Sequence, residues 1–555
     1  MGELYLKSEP IEPMRKYWVL TAIILLGLFL RFYQLGKNPP ALDWDEASLG
    51  YNAYSILKTG ADEFGRKFPV SIRSFEDYKP AVYVYLAIPG IFLFGLNEFT
   101  TRLPSAVAGT LSLILTYLVV SELFTFIKFD QFNRPKKTQL ALLTTLLLAI
   151  SPWHLQFSRV AFEANTGLFF VLAGILFFLK GLYNSRWFVL SGVLFAFSFY
   201  SYHSPRLVVP LLLFGWTVMF FKTIWRQKWW VIASLILAAV ILIPFVKEAV
   251  SEGRARFTSV TVLNPEERLK DSITRIIYDK EAGICCAKLI HNRRIVYFKE
   301  ILNGYLDHFN LDFLFLTGDA PLRHHAVDMG LLYIWEAPFI LLGILQLLKY
   351  QNSRILFWWF LAAPAASALT TGTPHAVRAL TYLPTYQIFT AVGLFHFYRN
   401  LLPKLRFRYI LSIGLSVLVV LNVFYYLNSY YIHTPVEASA DWQYGYKQAV
   451  VEIKNWESQV DKVIMTYAYD QPHVFILFYD RIDPLWYQKQ WTGGEVMRFK
   501  RKFGKYEFRP IDWARDKDLK NTLIIGTPSE IPATENVVKE IKFLNGQIAF
   551  RVVKL

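Results

Sequence analysis

The sequence predicts a multi-pass α-helical membrane protein, with about eleven transmembrane helices, interfacial helices in the first external loop and a small external α/β domain at its C-terminus. Three observations predict it: long apolar blocks, basic residues gathered in alternate loops, and a mixed soluble composition after residue 430. Of the 555 residues, 54% are hydrophobic and 17% aromatic, against roughly 45–50% apolar content in soluble domains. Blocks such as "VLTAIILLGLFL", "LALLTTLLLAI", "LILAAVILIPFV" and "LSIGLSVLVVLNVFYYL" reach or extend toward the roughly 20 residues that cross a hydrocarbon core.

Hydropathy places the spans at roughly 17–36, 101–127, 138–153, 162–182, 186–202, 206–222, 228–247, 330–349, 354–371, 376–398 and 408–429. Arg15 and Lys16 precede the first block with no small-residue cleavage site, so it reads as a retained helix. Every second loop is then short and basic: Lys128, Arg134, Lys136 and Lys137; Lys180 and Arg186; Lys222, Arg226 and Lys228; Lys349 and Arg354; Arg399, Lys404, Arg406 and Arg408. Because basic residues near span ends stay cytoplasmic, the N-terminus is expected inside and the C-terminal segment outside.

The transmembrane unit is expected over 1–430, with a first external loop at 37–100 and a long one at 248–329, and the external α/β domain over 431–555. In that domain "KVIMTYAY", "TLIIGT", "VVKEIKFL" and "IAFRVVKL" read as strands and "DQPHVFILFYD" as a helix. The net charge of +16 lies mainly between apolar blocks and not on one soluble face, which argues against a nucleic-acid partner. Cys285 and Cys286 are adjacent, so a disulfide framework is not expected.

The orientation gathers the chemically interesting residues on the external face. In "NPPALDWDEASLGYNAYSILKTG" (38–60) an amphipathic helix is expected to lie along the membrane surface, with Ala47, Tyr51 and Tyr54 on its apolar face and Gly60 as its stop. Asp43 and Glu46 have capping-box spacing. Asp45 has no capping duty; it is either a solvated first-turn acid or a carboxylate positioned to take a proton from a hydroxyl.

Lys79 precedes a proline, which holds it extended, as a phosphate contact or a snorkelling lysine. Asp77 and Tyr83 belong to the same stretch, and Arg102 opens the next span. Arg159 stands four residues before Glu163, at helix ion-pair spacing. His203 with Arg206, and His375 with Arg378, occupy two tight external turns, where a histidine is more often an interfacial hydrogen-bonder than a metal ligand. "PLRHHAVDMG" (321–330) adds Arg323, His324, His325 and Asp328 as a metal or phosphate candidate, although adjacent histidines point apart on most backbones.

"WDEASLGYNA" after the first span, "YKPAVYVYL" about thirty residues on and "NEFTTRLPSAVAGTL" at the second span together resemble the GT-C superfamily of membrane glycosyltransferases. The nearest families are the protein mannosyltransferases (glycosyltransferase family 39 type) and the aminoarabinose transferases of lipid A. The resemblance implies a polyprenyl-phosphate-linked sugar donor and inverting transfer to an acceptor hydroxyl on the external face. It implies Asp45 as the catalytic base, with Glu46 the second acid of the pair, and Lys79, Arg159, Arg323 and Arg378 as candidates for the leaving phosphate. Asp77, Tyr83, His203 and His375 complete the substrate-binding candidates. Two positions depart from the aminoarabinose transferases: Tyr78 stands where they carry an acid, and Ala81 where they carry a second proline.

No cofactor is expected and no metal ligand is assigned, a divalent metal being left open. The expected partners are the lipid-linked donor, membrane lipids, and a lipid, protein or glycan acceptor. Two other readings share the topology: a transporter of lipid-linked saccharides, which should show repeat symmetry and intramembrane charges, and an oligosaccharide ligase or oligosaccharyltransferase-like enzyme. Few charges fall near the span centres, which favours chemistry at an interface.

Overall fold

The computed structural model describes residues 13–75, 77–127, 134–251, 261, 269–490 and 502–555. Lys128 and most of the 252–268 stretch lie outside these residues, as do the side chains of Arg15, Asp77, Arg134 and Lys136.

Apolar helices occupy the predicted spans. α1 (Pro13–Phe32) is followed by α2 (Trp44–Thr59), the hairpin β1 (Ser71–Ser74) and β2 (Asp77–Pro80), and α3 (Val82–Phe94). Then come α4 (Glu98–Phe126), α5 (Arg134–Ile150), α6 (Pro152–Arg159), α7 (Glu163–Gly181), α8 (Trp187–Phe199), α9 (Pro205–Met219), α10 (Phe221–Arg226) and α11 (Lys228–Ser251). Among the described residues four helices are long and apolar enough to cross a membrane alone: Glu98–Phe126, Glu163–Gly181, Lys228–Lys247 and Arg408–Glu437. A fifth is a bent pair, Lys137–Ile150 with Pro152–Arg159, turned by 57°.

α1 is a further continuous helix of 20 residues, and the remaining predicted spans are shorter or interrupted. Segment 376–398, for example, is a 3₁₀ turn at Leu380–Tyr382 followed by a helix at Thr385–His396, with Pro384 between them. Proline lacks the N–H that a continuous helix needs and disfavours helical geometry in the residue before it.

The largest departure concerns α2. An amphipathic helix lying on the membrane surface was expected; instead Glu46 to Ala53 are all buried, with Ser55 and Ile56 beyond them. α2 packs on α3, on α4 and on helix Pro472–Tyr479 of the C-terminal unit. Its polar residues are satisfied internally: Ser48 meets Ser74 at 3.1 Å, Asn52 donates to Glu63 at 3.1 Å, and Ser55 donates to the Ala61 carbonyl at 2.8 Å. Gly50 permits the close approach, since a Cβ there would lie 2.6 Å from both Thr101 Oγ1 and the Phe478 ring. The helix stops at Gly60, whose φ of 71° suits a glycine cap.

The predicted strands and helix of the C-terminal region are present. β3 (Lys462–Met465), β4 (Lys502–Phe503), β5 (Tyr506–Phe508), β6 (Thr522–Gly526), β7 (Val537–Lys542) and β8 (Ile548–Lys554) form a mixed sheet in the order β4-β5-β3-β6-β8-β7. β3 runs parallel to β5 and β6; the other pairs are antiparallel. Alternation sorts its residues between two cores: Val463, Met465, Leu523, Ile525 and Val552 face one, Ile464, Ile524 and Val553 the other. The first core also contains Leu42, Ala47, Leu49, Tyr51, Tyr83 and Val84, so the C-terminal unit and the first external loop share one hydrophobic interior.

Candidate functional site

The site begins at the cap of α2. Asp43 Oδ1 accepts from the Glu46 N–H at 2.8 Å, and Glu46 Oε2 accepts from the Asp43 N–H at 3.4 Å, so the capping box foreseen from spacing is present in both directions. From there the three acids diverge.

Glu46 points into the protein. Its carboxylate takes Arg102 Nε and Nη2, each at 2.9 Å, and the Ala161 N–H at 2.8 Å. Arg102 spends its remaining N–H groups on the carbonyls of Leu35, Pro39 and Ala41 at 3.2, 2.9 and 2.6 Å. All five guanidinium donors are thereby used. Both side chains are fully buried, so Glu46 staples α2 to α4 and to the turn after α1, and this arrangement leaves it no surface for a substrate, contrary to the expectation of a second catalytic acid.

Asp43 and Asp45 carry the two accessible cations. Asp43 Oδ2 accepts from Arg323 Nη1 at 2.5 Å, with the guanidinium 4.5 Å from the Trp44 ring centre. Asp45 pairs with Lys79. Exposure separates these acids: the Asp43 side chain is 0% exposed and Asp45 31%, beside 10% for Lys79 and 17% for Arg323. Lys79 sits in β2 opposite Ile72, and the next helix begins with the Val82 N–H donating to the Tyr200 carbonyl at 3.3 Å, which brings the 200–205 turn to the end of the hairpin.

Burial pushes the Asp43 carboxyl up to about 6, against the pull of Arg323 and with the help of Asp45 and Glu46. Burial opposes the charge on Lys79, but Asp45, with Glu163 and Asp43, raises its pKa above the usual lysine value. Arg323 follows the same pattern, burial being outweighed by Asp43 and Asp45. Asp43, Lys79 and Arg323 are therefore charged at neutral pH, and the cluster is two adjacent carboxylate–cation pairs.

A second cluster lies one residue along the chain from Arg323. His324 Nδ1 meets Asp319 Oδ2 at 2.6 Å, and His375 Nδ1 stands 4.0 Å from the same oxygen. The Ala376 N–H donates to Asp319 Oδ2 at 2.8 Å. His308 anchors the neighbouring turn, its Nδ1 to the Gly304 carbonyl at 2.7 Å and its Nε2 accepting from the His375 N–H at 3.2 Å. Burial, with Arg378, His324 and His308 nearby, lowers the His375 pKa well below the ordinary histidine value.

Several candidates fall elsewhere. Arg159 is buried and donates to the carbonyls of Leu30, Arg31 and Asn38 and to Tyr430 Oη. The helix is interrupted between α6 and α7, so Arg159 and Glu163 do not share a helix, and in place of the expected i,i+4 pair Arg159 clamps the end of α1. Tyr83 is buried with its hydroxyl on the Thr101 carbonyl at 2.9 Å, joining α3 to α4 and not facing a substrate. His203 Nδ1 meets Arg206 Nη1 at 2.6 Å. Arg378 folds its own loop, donating to Thr370 Oγ1 and the Thr371 carbonyl at 2.6 and 2.8 Å. The backbone of Asp77 pairs with Ser74 in the hairpin.

Sequence reasoning missed Asp319 and Trp44 as parts of the site. Asp319 lies in "TGDAPLRHH", where an acid shortly before the His-His pair was the available signal; nothing local marks Trp44.

Residues 78–247 match the family described as dolichyl-phosphate-mannose-protein mannosyltransferase, a stretch that includes Lys79 and ends in α11. The fold is similar to the crystal structure of ArnT from Cupriavidus metallidurans in the apo state, with a TM-score of 0.54 and 13% identity over 97% of this chain and 98% of that one. The chain therefore shares its fold with ArnT over nearly its whole length. Another GT-C structure, the same ArnT bound to undecaprenyl phosphate, is similar with a TM-score of 0.52 and 12% identity over 97% and 98%. The Archaeoglobus fulgidus oligosaccharyltransferase, tethered with an acceptor peptide, gives 0.48 and 14% over 84% of this chain and 63% of that one. Among curated proteins no sequence matches the chain. The family match and the shared fold agree with the resemblance drawn from "WDEASLGYNA", "YKPAVYVYL" and "NEFTTRLPSAVAGTL".

Proposed function

We propose that this protein is a glycosyltransferase of the GT-C superfamily that transfers a sugar from a polyprenyl-phosphate-linked donor to an acceptor hydroxyl on the external face of the membrane, with inversion and with Asp45 as general base. The observation that carries the reading is the division of labour at the α2 cap. Of the three acids, Asp45 alone offers exposed carboxylate surface, and it does so beside the two partly exposed cations Lys79 and Arg323. The family match over 78–247 and the existence of an undecaprenyl-phosphate complex with this fold support a lipid-phosphate donor.

The reaction needs one base and several cations. The acceptor oxygen attacks the anomeric carbon while its proton passes to Asp45; the bond from that carbon to the phosphate oxygen breaks, and its electron pair leaves with the phosphate. Charge accumulates on the leaving phosphate, where donors fixed in advance are most effective. Lys79 and Arg323 can supply them, but each is held by a carboxylate in the free protein. A donor phosphate entering the cluster competes for these cations, and moving Lys79 toward the phosphate relieves Asp45 of its partner. Binding the donor thus raises the basicity of Asp45 when a base is required. The loop-charge pattern supports placing this cluster outside, with the N-terminus in the cytoplasm.

The test is reconstitution in lipid with a polyprenyl-phosphate sugar and an extract of candidate acceptors, following sugar transfer by mass spectrometry. Asp45→Asn is expected to abolish turnover while retaining the fold and donor binding. Near-normal turnover in that variant would remove Asp45 as the base.

A further inference from the structure

The long loop after α11 carries two helices, Lys270–Glu281 and Arg293–Asp307, that take no part in the α2 cap. Between them Ile276, Lys288, His291, Asn292, Arg293 and Arg294 line an open cavity of about 380 Å³. We propose that this cavity binds the phosphate head of an anionic phospholipid, with helix Arg293–Asp307 lying in the headgroup layer of the leaflet it faces, the external one under the orientation proposed above.

The cavity is cationic and its cations are uncommitted. The stretch "KLIHNRR" (288–294) contains no acid. Among the described residues Lys288, Arg293 and Arg294 have no carboxylate partner; of the four basic residues only His291 is paired, with Asp279 Oδ2 at 3.0 Å. Lys79 and Arg323 differ in this respect, each being held by an acid of the protein. Three like charges around one cavity raise its potential until an anion enters, and a phosphate offers several acceptor oxygens to two guanidinium forks and an ammonium.

The surface beside the cavity fits the rest of a lipid. On helix Arg293–Asp307, Ile295, Phe298, Leu302 and Leu306 are all exposed, and their spacings of three and four residues place them on one stripe. The opposite side is packed. A Cβ on Gly304 would lie 3.2 Å from the Ala368 carbonyl oxygen, and Asp307 Oδ2 accepts from Thr373 Oγ1 at 2.8 Å. By helical periodicity the two acids of this helix, Glu300 and Asp307, fall on the packed side, whereas Arg294 and Lys299 flank the exposed stripe. An apolar stripe edged by cations, with the acids turned away, suits a helix lying in an anionic interface. Leu289, 70% exposed, and Ile290 bring apolar surface to the cavity itself.

The attachments place the pair of helices beside the bilayer. Ala368 and Thr373 stand at the end of the predicted span 354–371, so the contacts at Gly304 and Asp307 fix this helix at a span end. Tyr305 Oη donates to the Leu361 carbonyl of helix Arg354–Ala362 at 2.8 Å, and the Ser272 hydroxyl donates to the His291 carbonyl at 2.7 Å, which joins the two helices across the cavity.

The experiment uses the full-length protein in nanodiscs of phosphatidylcholine with a minor fraction of phosphatidylglycerol. A trace of photoactivatable phosphatidylglycerol, or in parallel of photoactivatable phosphatidylcholine, is crosslinked and the products are mapped by peptide mass spectrometry. The anionic probe is expected to label residues 284–302 at least tenfold more than the zwitterionic one, since each basic residue near an anionic surface contributes about fivefold. Lys288→Gln, Arg293→Gln and Arg294→Gln, all at exposed positions, should each lower that labelling by about the same fivefold. Excess soluble glycerol phosphate at matched ionic strength should not displace the probe. The comparison of the two probes on the native chain does not depend on how the variants fold, and no sugar transfer enters the readout. Equal labelling by both probes, labelling unchanged in all three variants, or displacement by glycerol phosphate, which would make the cavity a site for a soluble anion, would overturn the proposal.

Discussion

The buried arginines and the accessible cations of this protein are the same kinds of residue used in opposite ways. Arg31, Arg102 and Arg159 are buried and bind mainly backbone carbonyls: Gly27, Leu148 and Ala149 for Arg31, the 35–41 turn for Arg102, and Leu30, Arg31 and Asn38 for Arg159. Arg102 and Arg159 convert the irregular stretch between α1 and α2 into a rigid support, and Arg31 ties α1 to the end of α5, because carbonyls turned away from water need donors. Lys79 and Arg323 instead bind carboxylates, keep partial exposure, and lie one side chain from the surface. A cation whose donors are all committed to backbone cannot release them to a phosphate; one paired with a carboxylate can exchange one anion for another.

The largest expected effect tests the structural half of this contrast. Removing one partner of a buried ion pair costs on the order of 3–5 kcal/mol, a large part of the ~5–15 kcal/mol that holds a domain together. Arg102→Met strands the Glu46 carboxylate and three carbonyls at once, and Glu46→Gln strands part of the guanidinium. Both variants should lose folded, monodisperse protein on size-exclusion chromatography in detergent. If Glu46→Gln is well folded yet inactive, Glu46 belongs with the chemistry and not with the support.

Next in size is the rate effect at Asp45. General-base catalysis contributes about 10²–10⁴-fold, and Asp45→Asn should lose that factor in turnover with an unchanged melting temperature. The pair Glu46→Gln and Asp45→Asn therefore separates adjacent acids: the first should fail in folding, the second in rate.

That separation shows what the sequence made legible and what it did not. Asp43 and Glu46 were readable as a cap because capping is local and depends on a spacing of three. The strands of the C-terminal sheet were readable for the same reason, through alternation in "TLIIGT" and "IAFRVVKL". The fate of Glu46 beyond its cap was not, since Arg102 lies 56 residues away and Ala161 115. Arg159 and Arg323 looked equivalent because both stand near polar turns; only packing distant segments together commits one to carbonyls and leaves the other on Asp43. Burial of α2 was hidden likewise, because the surface covering it comes from residues 472–479.

The site cations should show intermediate effects. A hydrogen bond to a charged group is worth about 1.5–3 kcal/mol, or roughly 10–100-fold. Lys79→Ala and Arg323→Ala should each weaken binding of a polyprenyl phosphate by about that factor, measured by titration in nanodiscs, with little loss of fold. Arg159→Ala should instead destabilise without a specific loss of phosphate affinity. If Arg159→Ala folds normally and loses phosphate binding while Lys79→Ala keeps it, the division into support and site is reversed.

The smallest effect concerns Asp43, which has a role in both classes: it caps α2 and it holds Arg323. Its carboxyl is raised by burial to about 6, so between the ordinary carboxyl range near pH 4 and about pH 6 the folded state keeps a proton that the unfolded chain releases. Stability from this group is therefore fully present at the acidic end, falls as pH rises through that window, and is constant above it. Asn is as good an N-cap as Asp, so Asp43→Asn keeps the helix start and removes only the titration. The difference in melting temperature, native minus variant, should decline as pH rises from about 4 to 6 and then level off. A difference that grows over the same interval would mean that Arg323 outweighs burial, and that Asp43 enters the folded state already ionised, as a fixed anchor instead of a group that can let Arg323 go.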